Sequence, residues 1–356
     1  MNQRLQSVQN KLPNWGVDAL LVEDKIDLYY LTGLFFSAGR LLIDPKEAHL
    51  IVDGRYEEMA RTQSGLPVVL ESEEALKELL APFTSIGFDG ASVPWERVQE
   101  LMGQFKKLHW KSLPSPLKTL RAIKEPEELE KMRKAAELGS LGFDFVKTLL
   151  KEGIKEKEIA RKLELFWKER GGKGFAFDPI IAFGENSALP HYHTGDRALK
   201  RGDPVLIDIG VIFEEYHSDM TRTLFFGEPS AQMKEIYLIV EAAQKKAFDK
   251  AAVGITCGEV DKAAREHIEE KGYAKAFVHG LGHGVGLEIH EWPYLKNKAP
   301  YADIPLVEGM CVTLEPGIYL PKIGGVRIED TVHIGSSGPE SLTRRPTELR
   351  EAIFNA

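Results

Sequence analysis

Cysteine is scarce in this sequence, with only Cys257 and Cys311 in 356 residues. The two are far apart and form no CxxC pair, which argues against a disulfide framework and fits a reducing compartment. Cys311 opens the apolar run CVTL and reads as a small core residue. The chain also lacks the ~18 consecutive apolar residues that suggest a membrane span. Its opening, MNQRLQSVQNKLPNW, is polar and has no signal-peptide apolar core, so a cytoplasmic location is expected. Positive charge is not in excess. The net charge is −8, which argues against a nucleic-acid partner. Several catalytic signatures are missing too: the HExxH helix, the GxSxG elbow and the GxxxxGK[ST] phosphate loop. The Gly-rich run GLGHGVG lacks dinucleotide-fingerprint spacing and follows no clear strand. Serine- and cysteine-nucleophile chemistry therefore has no support.

What is present is ample apolar material, 43% of the chain, enough for two domains or one large one. The first part alternates strand-like runs (DALLVED, AHLIVD) with amphipathic helical runs (RYEEMARTQ, EEALKELLAPF, VPWERVQELMGQF). It reads as a small α/β domain, 1–116, closed by the two-proline stretch SLPSP. In 117–356 one order of elements occurs twice. Helices are expected over Glu125–Lys151 and Lys155–Arg170, then a strand over Phe177–Phe183 and a strand pair over Pro204–Phe226. Helices over Ala231–Ala252 and Gly258–Gly272 follow, with a second strand pair over Met310–Ile334. Two related halves with helices covering one sheet is the expected architecture.

The chemistry sits in the strand pairs. Asp208 interrupts the apolar strand PVLIDIGVIF, and Asp219 opens the returning strand in HSDMTRTLFF. Glu315 ends the apolar run CVTLEPGIYL, and Glu329 in GVRIEDTVHI shares a strand face with Arg327. A single such carboxylate is most simply a satisfied structural group. Four of them, two per strand pair in corresponding places, converge if the halves face each other. Buried unpaired carboxylates cost several kcal/mol each or become neutral. Two divalent cations would balance four negative charges, and oxygen-rich ligation suits a harder ion such as manganese. His283, in HGLGHGVGLEIHE, is a fifth candidate ligand. His279 and His290 share that segment, and His191 and His193 lie in LPHYHTGD.

In this order and context, Asp208-Ile-Gly, Ser218-Asp219, HGLGHGVGLEIHE, LEPGIY and RIED resemble the motifs of the pita-bread metallopeptidases. That family includes methionine aminopeptidase, aminopeptidase P and prolidase. The preceding α/β segment resembles the N-terminal domain of the prolidase, aminopeptidase P and creatinase branch. The resemblance implies an α+β fold: a C-terminal pita-bread domain with pseudo-twofold halves behind a smaller α/β domain. It implies Asp208, Asp219, His283, Glu315 and Glu329 as ligands of two divalent ions, with Asp219 and Glu329 shared by both. Manganese is the expected metal, with cobalt, zinc or iron as alternatives. The resemblance also implies a homodimer.

The implied reaction is hydrolysis of the bond before proline by a hydroxide held between the two ions. His279 would polarise the carbonyl, His290 would position substrate and move protons, and His191 would contact the peptide. Glu315 would carry a proton to the leaving nitrogen, and Arg327 would orient the carboxylates. Tyr216 and Tyr319 could wall a proline pocket. Of the adjacent Phe35 and Phe36, one is expected to point outward. Proline-containing peptides are the expected partners, through either aminopeptidase P or prolidase activity. The leaning is to aminopeptidase P, because no clear basic residue stands out to capture a dipeptide's C-terminus. A non-catalytic binding module and a creatinase-like hydrolase are disfavoured by the intact carboxylate set.

Overall fold

The computed structural model describes residues 3–355, and the chain divides into two compact units, Met1–Arg121 and Ala122–Ala356. No helix among the described residues is long and apolar enough to cross a membrane.

The first unit is built on a six-stranded mixed sheet. Its order is Val68–Leu70, Ala48–Val52, Arg40–Ile43, Ala19–Val22, Ser85–Asp89, His109–Leu113. The central strand Ala19–Val22 is buried at every position, as a strand covered on both faces must be. Helix Glu73–Leu80 starts where the Ser72 hydroxyl accepts from the Ala75 N–H at 3.1 Å, and it buries Leu76 and Leu80 one turn apart. The edge strand His109–Leu113 has no sequence signature because three of its five residues face solvent. Phe36 is buried and Phe35 exposed, its ring stacked on Tyr29 at 4.2 Å.

In the second unit the helices fall close to the expected spans, at Pro126–Leu149, Glu156–Lys168, Ala231–Lys250 and Cys257–Glu270. Their starts are chemically marked. Glu125 and Glu128 form a capping box that spans Pro126 in the first turn, and Thr256 and Glu259 form another. The Ser230 hydroxyl accepts from the Met233 N–H at 3.2 Å.

The strands depart from the expected single sheet. One ladder has the order Ile353–Phe354, Met220–Phe226, Pro204–Ile209, Ile180–Phe183. Another has the order Glu291–Leu295, Gly282–Gly284, Cys311–Leu314, Asp330–Gly335, Gly338–Ser341. They meet at an antiparallel bridge, where the Glu329 N–H donates to the Thr221 carbonyl at 3.0 Å. Each expected strand pair is also interrupted. Met310–Ile334 contains a separate hairpin, Gly317–Leu320 with Gly324–Arg327. Pro316 has no N–H to continue a ladder, and a register shift falls between His283 and Gly284. These breaks occur beside the carboxylates.

The two structural halves pack on one continuous core that includes Trp167, Ile207, Val240 and Val332. Trp167 is fully buried, and its Nε1 donates to the Leu138 carbonyl at 2.9 Å. Gly142 makes room for it, since a Cβ there would lie 2.4 Å from that nitrogen. Alanine would improve intrinsic helix propensity by about 1 kcal/mol. Overpacking a rigid buried indole costs about 1–3 kcal/mol and should outweigh that gain. Gly142→Ala is therefore expected to lower the melting temperature of the second unit. A melting temperature equal to or above wild type in calorimetry would refute this packing argument.

Candidate metal centre

One cavity of about 490 Å³ in the second unit is lined by Asp208, Asp219, His283, Glu315 and Glu329. The same cavity is lined by His191, His193, His279, His290 and Arg327, so all nine residues expected to act as ligands or in catalysis reach it. Tyr216 and Tyr319 do not line it. The Tyr216 hydroxyl donates to Glu128 at 2.8 Å, away from the cavity, and Tyr319 sits behind the wall.

The backbone accounts for this convergence. Asp208 lies on a strand buried at every position, directly opposite Thr221 in the antiparallel register. Asp219 precedes the partner strand. Glu329 joins the two ladders through its bridge to Thr221. Glu315 follows Cys311–Leu314, and His283 lies in the neighbouring strand Gly282–Gly284.

The donor atoms are spaced for cations. Atoms of Asp219, His283 and Glu329 lie within 4.8 Å of one another. His283 Nε2 is 3.6 Å from Asp219 Oδ2 and 3.5 Å from Glu315 Oε1. These separations are too long for good hydrogen bonds. They approach the spacing, roughly 3–3.5 Å, of atoms that share an ion through bonds of about 2.1 Å. His283 Nδ1 lies 3.0 Å from the Gly284 carbonyl, so it carries the proton and Nε2 presents its lone pair. Asp208 Oδ1 is buried and has no hydrogen-bond partner among the described residues. An orphaned carboxylate oxygen facing three other carboxylates fits a cation better than it fits the protein alone.

The electrostatics agree. Burial pushes the Asp219 carboxyl well above its usual range, and the charges of Glu329, Asp208 and Glu315 add to the shift. Glu329 is raised by burial and then by Glu315 and Asp208. Burial lifts Glu315 to about 8. His283 is pushed down to about 3 by burial and then by His290.

Around this cluster the protein supplies directed donors. Arg327 pairs with Asp208, and its Nε donates to the Thr221 hydroxyl at 3.1 Å. Thr221 in turn donates to Glu329 Oε2 at 2.6 Å. Arg327 also donates to the Tyr319 hydroxyl at 2.8 Å, which lies 2.9 Å from His279 Nε2. His279 Nδ1 faces the Gly280 carbonyl at 2.8 Å, so it must donate there, and Nε2 accepts from Tyr319. Both nitrogens of His279 are engaged, and a substrate oxygen would have to displace Tyr319. His191 and His290 make no hydrogen bond among the described residues.

Sequence reasoning missed Tyr319 as a relay, Thr221 as a carboxylate support and Lys296 on the cavity wall. Only Thr221 had a signal, two residues after Asp219 in a strand whose polar residues, Thr221, Arg222 and Thr223, are all buried.

A buried carboxylate cluster with neutral imidazoles in an open cavity is a candidate metal centre of a kind suited to hydrolysis. Comparison with known proteins places it. Residues 130–336 match the model of metallopeptidase family M24, and residues 4–123 match the creatinase/prolidase N-terminal domain. A Xaa-Pro dipeptidase of Pyrococcus furiosus is 40% identical over 98% of this chain and 100% of its own length. The crystal structure of a prolidase from Pyrococcus horikoshii superposes with a TM-score of 0.92 at 39% identity, covering 98% of this chain and 100% of that one. An X-Pro aminopeptidase structure from Thermotoga maritima has a TM-score of 0.88 at 34% identity, over 98% and 100% of the two chains. The chain belongs to metallopeptidase family M24, with the pita-bread fold, and is a metal-dependent hydrolase.

The raised carboxyls lead to a pH prediction. In the metal-free chain, the contribution of Glu315 to stability is fully present below its ordinary value of 4.5. It is lost as pH rises through about 8, because the folded state then holds an unfavourable charge. A divalent cation reverses that penalty, while protons compete with it at low pH. The rise in melting temperature on adding manganese is expected to be small at pH 5 and largest near pH 8. An increment independent of pH would contradict a cation bound by this cluster.

Proposed function

We propose that this chain is an Xaa-Pro dipeptidase that releases proline from a two-residue peptide. The observation that carries the dipeptide reading is Lys296. Besides Arg327, it is the only lysine or arginine lining the cavity, among the described residues. Arg327 is committed to Asp208, Thr221 and Tyr319. The Lys296 ammonium makes no hydrogen bond or ion pair among the described residues; it sits over the Tyr294 ring at 5.2 Å. An ammonium on the cavity wall with no carboxylate partner among the described residues suits a free C-terminal carboxylate. The full-length likeness to a dipeptidase at 40% identity supports the same reading. The leaning to aminopeptidase P rested on finding no such residue in the sequence, and Lys296 removes that ground. Aminopeptidase P is the second reading, favoured by the likeness to the Thermotoga maritima enzyme.

We assign Asp208, Asp219, His283, Glu315 and Glu329 as the ligands of two divalent cations, manganese first among the candidates. When bound, the cations supply Lewis acidity and lower the pKa of a coordinated water. The remaining work falls to the chain. Arg327 and Thr221 hold Asp208 and Glu329 in orientation. His191 and His290 offer ring nitrogens to the peptide, and Phe177, Ile180 and Ile289 offer apolar wall to a pyrrolidine ring. The scissile bond is a tertiary amide without N–H, so binding cannot rely on a donor there, and its nitrogen, like that of any amide, must gain a proton in order to leave. Glu315 is assigned to take a proton from the attacking water and pass it to that nitrogen.

With manganese present, kcat/KM for Ala-Pro is expected to exceed that for Ala-Pro-Ala at least tenfold. The reverse ranking would hand the assignment to aminopeptidase P. Lys296→Met removes a charge-assisted contact of about 1.5–3 kcal/mol and should raise KM for Ala-Pro roughly tenfold to a hundredfold. An unchanged KM would remove Lys296 from the carboxylate site. Chelation should abolish activity and manganese restore it, whereas Asp219→Ala should stay inactive with either. Hydrolysis by Asp219→Ala at the wild-type rate would overturn the ligand assignment.

A further inference from the structure

Glu156 is a fully buried carboxylate that no step above uses. It opens helix Glu156–Lys168 and does not line the cavity. Its Oε1 accepts from the Phe183 N–H at 2.8 Å and from Asn186 Nδ2 at 3.0 Å. Its Oε2 accepts from the Tyr192 hydroxyl at 2.8 Å and from the Gly195 N–H at 3.1 Å. All four donors belong to one segment, 183–195, which leaves the strand Ile180–Phe183, turns through Gly184–Ala188 and carries His191 along the cavity. The carboxylate gathers both ends of that segment and its middle onto one point.

Neighbouring contacts continue the arrangement. The Glu156 N–H donates to the Arg197 carbonyl at 3.2 Å and the Lys157 N–H to the Gly195 carbonyl at 3.0 Å, so the helix start is pinned to the segment's far end. A Cβ on Gly195 would lie 2.5 Å from the Tyr192 hydroxyl, so only glycine lets the chain pass this close. The Tyr192 ring lines the cavity and packs against a cluster containing Tyr319, the residue that links Arg327 to His279. Arg327 Nη1 reaches the Pro190 carbonyl at 3.4 Å. The wall bearing His191 is thus held by Arg327 from the metal side and by Glu156 from behind.

We infer that Glu156 is a positioning residue, setting the placement of His191 and Tyr192 against the bound dipeptide without touching it. This rests on the dipeptidase reading given above. Glutamine in its place keeps the shape but turns one end from acceptor into donor. Whichever end carries the Gln amide then faces a backbone N–H, of Phe183 or Gly195, that can only donate, so at least one of the four bonds fails and its side-chain neighbour must turn to accept.

The test is a double-mutant cycle between Glu156→Gln and His191→Ala, read as kcat/KM for Ala-Pro with manganese. Glu156→Gln alone should lose at least tenfold. In the His191→Ala background it should lose less than threefold, because the residue it positions is gone. Bound manganese should match wild type in every variant. Hydrogen exchange of amides 183–195 should speed up at least tenfold in Glu156→Gln, with the strand Pro204–Ile209 unchanged. Wild-type activity in Glu156→Gln, full additivity with His191→Ala, or unchanged exchange in the segment overturns the proposal. If Glu156→Gln does not fold, Tyr192→Phe, which removes one donor to Glu156 and the acceptor for Asn186 Nδ2, takes its place with an expected loss of threefold or more and the same coupling; additivity there overturns the proposal equally. A wild-type chain inactive on Ala-Pro would sink the dipeptidase reading, and the exchange measurement would still decide whether Glu156 holds the segment.

Discussion

Four carboxylates share the floor of one cavity, and their mutual repulsion is the constraint from which the rest of the second unit follows. Each is raised or held in place by what surrounds it: burial and its neighbours for Asp219 and Glu329, an arginine for Asp208. In a low-dielectric interior such a set is tolerable only with counter-charge nearby. Arg327 supplies one positive charge, and two bound dications would more than cover the remaining three. The orphaned Asp208 oxygen and the lone pair of His283 Nε2 mark where the protein stops satisfying itself.

The architecture serves that constraint by placing rigid elements behind the carboxylates. Arg222 illustrates this. It is almost fully buried, and its guanidinium donates to the Glu329 carbonyl at 2.5 Å, to Asp330 at 2.7 Å and to the Thr343 carbonyl at 3.1 Å. One side chain therefore ties the strand after Asp219 to the strand after Glu329 and to the C-terminal segment. The Thr331 hydroxyl, donating to the Asp219 carbonyl at 2.8 Å, makes the reciprocal link. Catalytic sites tolerate little positional error, and backbone-anchored donors of this kind limit it.

The three histidines beside the cluster are not equivalent, although the sequence presents them alike. His279 is enclosed by Tyr319 and Gly280, and burial followed by the nearby Arg327 pushes it down to about 4. His283 faces the carboxylates. His290 stands with His191 at the open part of the cavity. Spacing within HGLGHGVGLEIHE says nothing of this, because the bulge at His283/Gly284 and the turn after it set where each ring points.

By itself the sequence determined the helices of the second unit and the identity of the carboxylates. Capping residues and apolar periodicity are local, and a carboxylate in an apolar strand is conspicuous without any partner being known. Strands of the first unit with exposed faces, such as His109–Leu113, had no such local mark. Only the tertiary structure decided what meets across long separations: Thr221 with Glu329, Tyr319 with His279, Glu156 with Tyr192, and Lys296 with the cavity. Threonine, tyrosine and surface-type lysine are common in every protein. Their function here comes from three-dimensional adjacency, which depends on how two interrupted ladders join at a single bridge.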